Sequence, residues 1–132
     1  MGLKEIFEVS KPRIIILLVI TAVTSMYAGS KFVGPDISYL EILHIIVAGS
    51  LASAGSSALN HFYDKDLDSK MKRTSNRPIP SGRIKDKTVL IYGLGISIAS
   101  VIYAALIINY LCAFFIALGI FFYVIIYTVW LK

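Results

Sequence analysis

Cysteine is all but missing: Cys112 stands alone, so the chain can close no internal disulfide and assemble no thiolate metal cluster. Charge is scarce too. Asp, Glu, Lys and Arg make up 16% of the 132 residues and apolar ones 57%, with a mean hydropathy of +0.76. Soluble domains hold about 25% charged and about 45–50% apolar residues, so a water-soluble fold is excluded. Repeats of solenoid length and low-complexity tracts are absent, and residues 1–132 read as one helical membrane unit. The charges present are concentrated, more than half of them between Asp64 and Lys87. The net charge of +5 calls for an anionic partner. Because the basic residues lie between apolar runs, that partner is a membrane surface or a phosphorylated lipid and not a nucleic acid.

A bilayer core about 30 Å thick takes about 20 helical residues to cross. Four segments qualify, residues 14–32, 39–63, 89–108 and 111–131, with a polar loop over 64–88. The fold class is therefore an all-α membrane protein with four transmembrane helices. The first segment is too long for a signal peptide, lacks a convincing cleavage site and is followed by further spans, and Gly34-Pro35 ends it in a turn. Only Asn109-Tyr110 separates the last two, which exceed a single crossing together and so form a tight hairpin. Eight Lys and Arg residues fall between the second and third spans and three precede the first. The positive-inside rule then predicts a multi-pass protein of the cell membrane with both termini and the 64–88 loop cytoplasmic.

Small residues recur at helical spacing. Gly49, Ser53 and Ser57 form one row of the second span, Ala52, Ser56 and Asn60 a neighbouring row, and Gly93, Ser97 and Ser100 a third in the next span. Such rows let backbones approach closely, and interhelical packing is the expectation for all of them. Tyr63, Tyr123, Tyr127 and Trp130 fit an aromatic belt at the cytoplasmic boundary. His44 reads as a histidine hydrogen-bonded between helices. His61, about 100° round the helix from Asn60, is a weaker candidate for substrate contact.

The end of the second span carries the chemistry. Asn60, Asp64 and Asp68 sit at i, i+4 and i+8, on one helix face that drifts by about 40° per step. Their oxygens converge, and a hard divalent cation such as Mg²⁺ takes oxygen ligands of this kind, with water and substrate phosphate completing its shell. Asp66 points the other way. Acceptors at a membrane boundary are costly unless they hold a cation or are paired. The competing reading is a solvated helix end neutralised by Lys65, Lys70 and Lys72, but Asn60 lies a full turn deeper, where an amide needs a partner. Lys72, Arg73 and Arg77 follow at once, and guanidinium groups grip phosphate oxygens bidentately. The same charges also serve as the positive-inside signal. Pro78, Pro80 and Gly82 prevent a regular helix, so the loop is expected to fold back over the site.

Asn60-x-x-x-Asp64-x-x-x-Asp68 followed by Met71-x-Arg73-Thr74-x-x-Arg77-Pro78 resembles the first aspartate-rich motif of the intramembrane aromatic prenyltransferases, especially the protohaem IX farnesyltransferase branch. Lys11-Pro12-Arg13 at the start of the first span and Tyr127-Thr128-x-Trp130-Leu131-Lys132 at the end of the fourth agree with it. The resemblance implies transfer of a farnesyl group from farnesyl diphosphate to the 2-vinyl group of protohaem IX, giving haem O and diphosphate. It implies that Asn60, Asp64 and Asp68 hold Mg²⁺, with Asp64 and Asp68 the catalytic carboxylates, and that Lys72, Arg73 and Arg77 bind the diphosphate. Haem B would be substrate, not cofactor, and the apolar helices would form a groove for the isoprenoid.

Enzymes of this superfamily carry a second aspartate-rich motif in a second helical half, and no further acidic pair follows here. The chain resembles the first, N-terminal half of that bundle, which leaves open a longer chain, a second polypeptide that completes the site, or an inactive remnant. Two alternatives stand beside the farnesyltransferase reading. One is a prenyltransferase with another aromatic or lipid acceptor. The other is a non-catalytic four-helix membrane subunit that binds anionic lipid through its basic loop.

Overall fold

The computed structural model describes residues 2–34 and 36–130. Pro35 of the expected turn, and Leu131 and Lys132 at the expected end of the fourth span, lie outside them. Every regular element among the described residues is a helix, without a strand. A short α1 (Leu3–Ser10) precedes α2 (Pro12–Val33), α3 (Tyr39–Lys70), α4 (Asp86–Tyr103) and α5 (Tyr110–Phe121). The helices α4 and α5 each run on into π-helical turns, over Ala104–Ile108 and Phe122–Trp130. Four helices, counting those extensions, are long and apolar enough to cross a membrane.

Each boundary has a local cause. Proline disfavours helical geometry in the residue before it and favours the first helical position. Pro12 takes that first position of α2, and Lys11, in the left-handed conformation (φ 51°), separates it from α1. Ser38 caps α3 with a reciprocal box: its hydroxyl accepts from the Glu41 amide at 3.2 Å, and the Glu41 carboxylate accepts from the Ser38 amide at 3.0 Å. Extended Asn109 separates α4 from α5 and caps the latter, its side chain accepting from the Cys112 amide at 2.7 Å. The last two spans are therefore a hairpin.

α3 is the central post. Its 32 residues measure about 48 Å, well beyond a bilayer core of about 30 Å. The helix thus carries Asp64 and Asp68 past the apolar segment, and the non-helical loop is narrower than the expected 64–88, running from 71 to 85. Helix α2 packs on α3 and buries none of its own residues, and α4 makes the closest approach to α3. At that approach Gly55 faces Gly93 and Ser97. α1, which the hydropathy pattern did not predict, is tied to the bundle where Ser57 donates to the Val9 carbonyl at 2.7 Å and Ser10 pairs with the Tyr92 hydroxyl at 3.0 Å. At the opposite end His44 Nδ1 lies 2.6 Å from the Tyr103 hydroxyl, the interhelical hydrogen bond expected of it.

Candidate functional site

Asn60, Asp64 and Asp68 are all buried on one face of α3, and all three line a cavity of about 660 Å³. Asn60 organises the inner end. Its Oδ1 accepts from the Lys11 ammonium at 3.0 Å, while its Nδ2 donates to Asp64 Oδ2 at 3.0 Å and to Thr128 Oγ1 at 3.1 Å. This network fixes the amide orientation, because only the oxygen can accept from an ammonium and only the nitrogen can donate to a carboxylate. At the outer end Asp68 Oδ2 accepts from Arg77 at 2.6 Å, and the Thr74 hydroxyl donates to the Asp68 carbonyl at 3.0 Å.

The loop folds back as expected. Thr74 and Pro78 are buried, and Arg73, Thr74 and Arg77 all line the cavity. Lys72 does not: it is exposed, away from the lining. Asp66 is exposed too, as its position on the opposite helix face requires. His61 is buried beside the site but is not part of the lining. The loop is also latched to α1, where Arg83 grips Glu8 through two hydrogen bonds of 3.0 and 2.9 Å and donates to the Asn76 carbonyl at 2.6 Å. The Arg83 hydrogen bond holds the Glu8 carboxyl below its ordinary value of 4.5.

Two groups of site residues escaped the sequence reading. Lys11 was noted only as part of a motif, yet its left-handed backbone turns the side chain onto Asn60; a non-glycine residue at positive φ is a pointer to function. Tyr123 and Tyr127, which fit an aromatic belt at the boundary, also line the cavity, with their rings stacked at 5.6 Å and 13°. In the π-helical turn that carries them the Thr128 hydroxyl donates to the Tyr123 carbonyl five residues back at 2.9 Å, and Thr128 Oγ1 accepts from Asn60.

A second cavity of about 390 Å³ continues from the first, sharing Ile14 and Tyr123 with it. Its lining is mostly apolar and includes Gly49, Ala52, Ser53, Ser56 and Ser57. The first two small-residue rows, expected to be packing faces, are thus largely a cavity wall. A Cβ at Gly49 would meet nothing within 4 Å. The third row packs as expected, with Gly93, Ser97 and Ser100 buried between helices.

Among the described residues no three His, Cys, Asp or Glu side chains gather into a metal cluster. The donor set is two carboxylates and an amide oxygen, and Asn60 accepts from Lys11 and Asp68 from Arg77. That pattern fits a hard cation that keeps water and substrate oxygens as its other ligands.

Residues 17–132 match the UbiA prenyltransferase family. The chain belongs to that family. Its curated relatives include the protoheme IX farnesyltransferase 1 of Cenarchaeum symbiosum, 63% identical over 136 residues that cover 100% of this chain and 45% of that one. The protoheme IX farnesyltransferases of Gluconacetobacter diazotrophicus (43% identical, 98% of this chain and 40% of that one) and Bartonella quintana (39%, 99% and 41%) are also similar. The chain spans less than half the length of these relatives. No solved structure matches it. Membership of the family and four helices of spanning length together make it a multi-pass membrane protein.

Proposed function

We propose that this chain supplies the donor site of an enzyme that transfers a farnesyl group from farnesyl diphosphate to protohaem IX, giving haem O and diphosphate. The observation that carries the reading is the junction of a charged cavity with an apolar one at Tyr123 and Ile14. An allylic diphosphate has this same division, a polyanionic head on an apolar tail. The relatives' names support the choice of acceptor, and the α3 face and its loop support the choice of donor.

Charge supports it as well. Asp64 and Asp68 face Lys11, Arg73 and Arg77 around the cavity, leaving one excess positive charge. One Mg²⁺ raises that excess to match an allylic diphosphate trianion. Asn60, Asp64 and Asp68 would hold the ion, which when bound supplies positive charge to the departing diphosphate. Arg73 and Arg77 would hold phosphate oxygens, positioned in advance by Arg77's contact with Asp68. Lys11 would bind from the inner side. Tyr123 borders the place where the allylic carbon would lie, and an aromatic ring face stabilises developing positive charge. Lys72, exposed beside the site, would contribute to attraction of the anion and not to its final hold.

This reading puts both termini and the loop on the cytoplasmic side, within the cell membrane, as the basic residues require. A second helical half, in the same or another polypeptide, would complete the bundle and supply the acceptor side. The test is Mg²⁺-dependent binding of farnesyl diphosphate by the complete protein. Asp64→Asn is expected to abolish it, and binding that persists unchanged in that variant would overturn the reading. Offering protohaem IX beside 4-hydroxybenzoate and identifying the prenylated product tests the acceptor.

A further inference from the structure

The apolar cavity has a depth that the helix registers define. Hydrogen bonds from Asn60 to Lys11 and to Thr128 bring α2, α3 and the end of the last span to one level at the charged site. From that level the cavity lining reaches Ala22 on α2, Gly49 on α3 and Ile116 on α5, each eleven or twelve residues along its own helix. At 1.5 Å per residue Gly49 lies about 16 Å from Asn60 along α3. The three are the lining residues furthest from the site, at the floor level of the cavity.

Between site and floor the wall is small and largely without free donors. The Ser56 hydroxyl donates to the Ala52 carbonyl at 2.7 Å and the Ser57 hydroxyl to the Val9 carbonyl at 2.7 Å, so neither needs a partner in the cavity. Gly49 is the open point of the floor: it lines the cavity, and a Cβ there would meet nothing within 4 Å. No described helix therefore requires its lack of a side chain. This sets it apart from Gly55, six residues further on, where a Cβ would run into Ser97.

We propose that Gly49 sets the isoprenoid length this protein accepts. The proposal rests on the donor-site reading above and extends it to chain-length specificity. With its diphosphate beside Asn60, an extended chain of three isoprene units reaches Gly49, while a chain of two stops short of it. A side chain at Gly49 would fill the space of the terminal unit.

The test is direct binding of geranyl, farnesyl and geranylgeranyl diphosphate, with Mg²⁺, to the complete protein in lipid nanodiscs. The wild type is expected to prefer farnesyl to geranyl diphosphate. Gly49→Leu is expected to turn that ratio toward geranyl diphosphate by about tenfold or more, the discrimination an apolar pocket makes over a few methylene groups. The variant should fold, since leucine is a better helix former than glycine and the new side chain enters open space. Gly95→Leu is the control: Gly95 is exposed on α4, its Cβ would also meet nothing, and it does not line the cavity. An unchanged ranking in Gly49→Leu, with farnesyl diphosphate still bound, would overturn the length-setting role and leave the donor site standing. Failure of the wild type to bind any of the three would overturn both.

Discussion

Asn60 donates from its side-chain amide to Thr128 Oγ1 at 3.1 Å, joining the middle of the chain to its last described turn across 68 residues. The same amide serves Lys11 and Asp64, so one side chain ties together three helices at the level where the charged and apolar cavities meet.

Replacing Asn60 by Leu should therefore do more than remove one proposed metal donor. It strips a partner from Lys11, Asp64 and Thr128 together, and a buried polar group left without its partner costs about 1–3 kcal/mol. The expected result is a lower unfolding temperature in detergent micelles together with loss of Mg²⁺-dependent farnesyl diphosphate binding. Thr128→Val, which removes the contacts to Asn60 and to the Tyr123 carbonyl but leaves Asn60 bonded to Lys11 and Asp64, should lower stability by about 1–3 kcal/mol and leave Mg²⁺-dependent binding detectable. Equal loss of binding in the two variants would contradict the central role given to Asn60.

Arg77 and Asp68 form the second test. Asp68 is almost wholly buried, and Arg77 reaches it at 2.6 Å. Removing the arginine leaves an uncompensated carboxylate, while removing both leaves none. Arg77→Ala should thus destabilise the protein by about 3 kcal/mol, and the double variant Asp68→Ala/Arg77→Ala by less than the sum of the two single changes. Unfolding of the four proteins measured side by side gives the coupling. Strict additivity would mean that the pair is solvated and of no structural weight.

How far these residues were legible beforehand follows from the range of the interactions concerned. Spans and the Asn60, Asp64, Asp68 face are local: hydropathy over about 20 residues and a four-residue spacing suffice to read them. The place of Lys11 depends on a left-handed backbone and on a partner 49 residues away, and neither is a pattern within a window. The belt accounts for the residue type of Tyr123 and Tyr127, while their place in the cavity wall depends on how the last span packs on α3. The small-residue rows show the same boundary between local and tertiary information. Spacing finds Gly49 and Gly93 equally well, but only the neighbouring helices decide that one borders a void and the other a contact.

That contact makes a third prediction. A Cβ at Gly55 would collide with the Ser97 hydroxyl, lie 2.7 Å from the Ser97 backbone nitrogen and 3.0 Å from the Gly93 carbonyl. Backbone cannot yield as a flexible side chain does, so α3 and α4 would have to separate. Gly55→Ala is expected to destabilise the bundle by about 1–3 kcal/mol, despite the better helix propensity of alanine. Gly49→Ala, with open space around it, should be neutral or stabilising by up to about 1 kcal/mol. Thermal unfolding of the two variants in the same detergent decides the matter, and similar losses in both would count against the close approach at Gly55.

The latch between Glu8 and Arg83 gives a prediction in pH. Arg83 holds the loop that bears Arg73 and Arg77 against α1, and its hydrogen bond lowers the Glu8 pKa below 4.5. A carboxylate with a depressed folded-state pKa contributes stability that is fully present above its unfolded value and lost as the pH falls through the folded value. Loop docking should therefore be insensitive to pH from neutrality down to about 5 and weaken below 4.5. Hydrogen exchange of residues 71–85, followed across that range, should show faster exchange at the acid end once the intrinsic pH dependence is removed. The Glu8→Gln protein should show the loosened loop at neutral pH already, with no further acid step. The contact is partly exposed, so raised salt should weaken it in the wild type and leave Glu8→Gln unaffected. An acid step that persists in Glu8→Gln would assign the pH response to another group and remove the latch from the account of how the loop is held over the site.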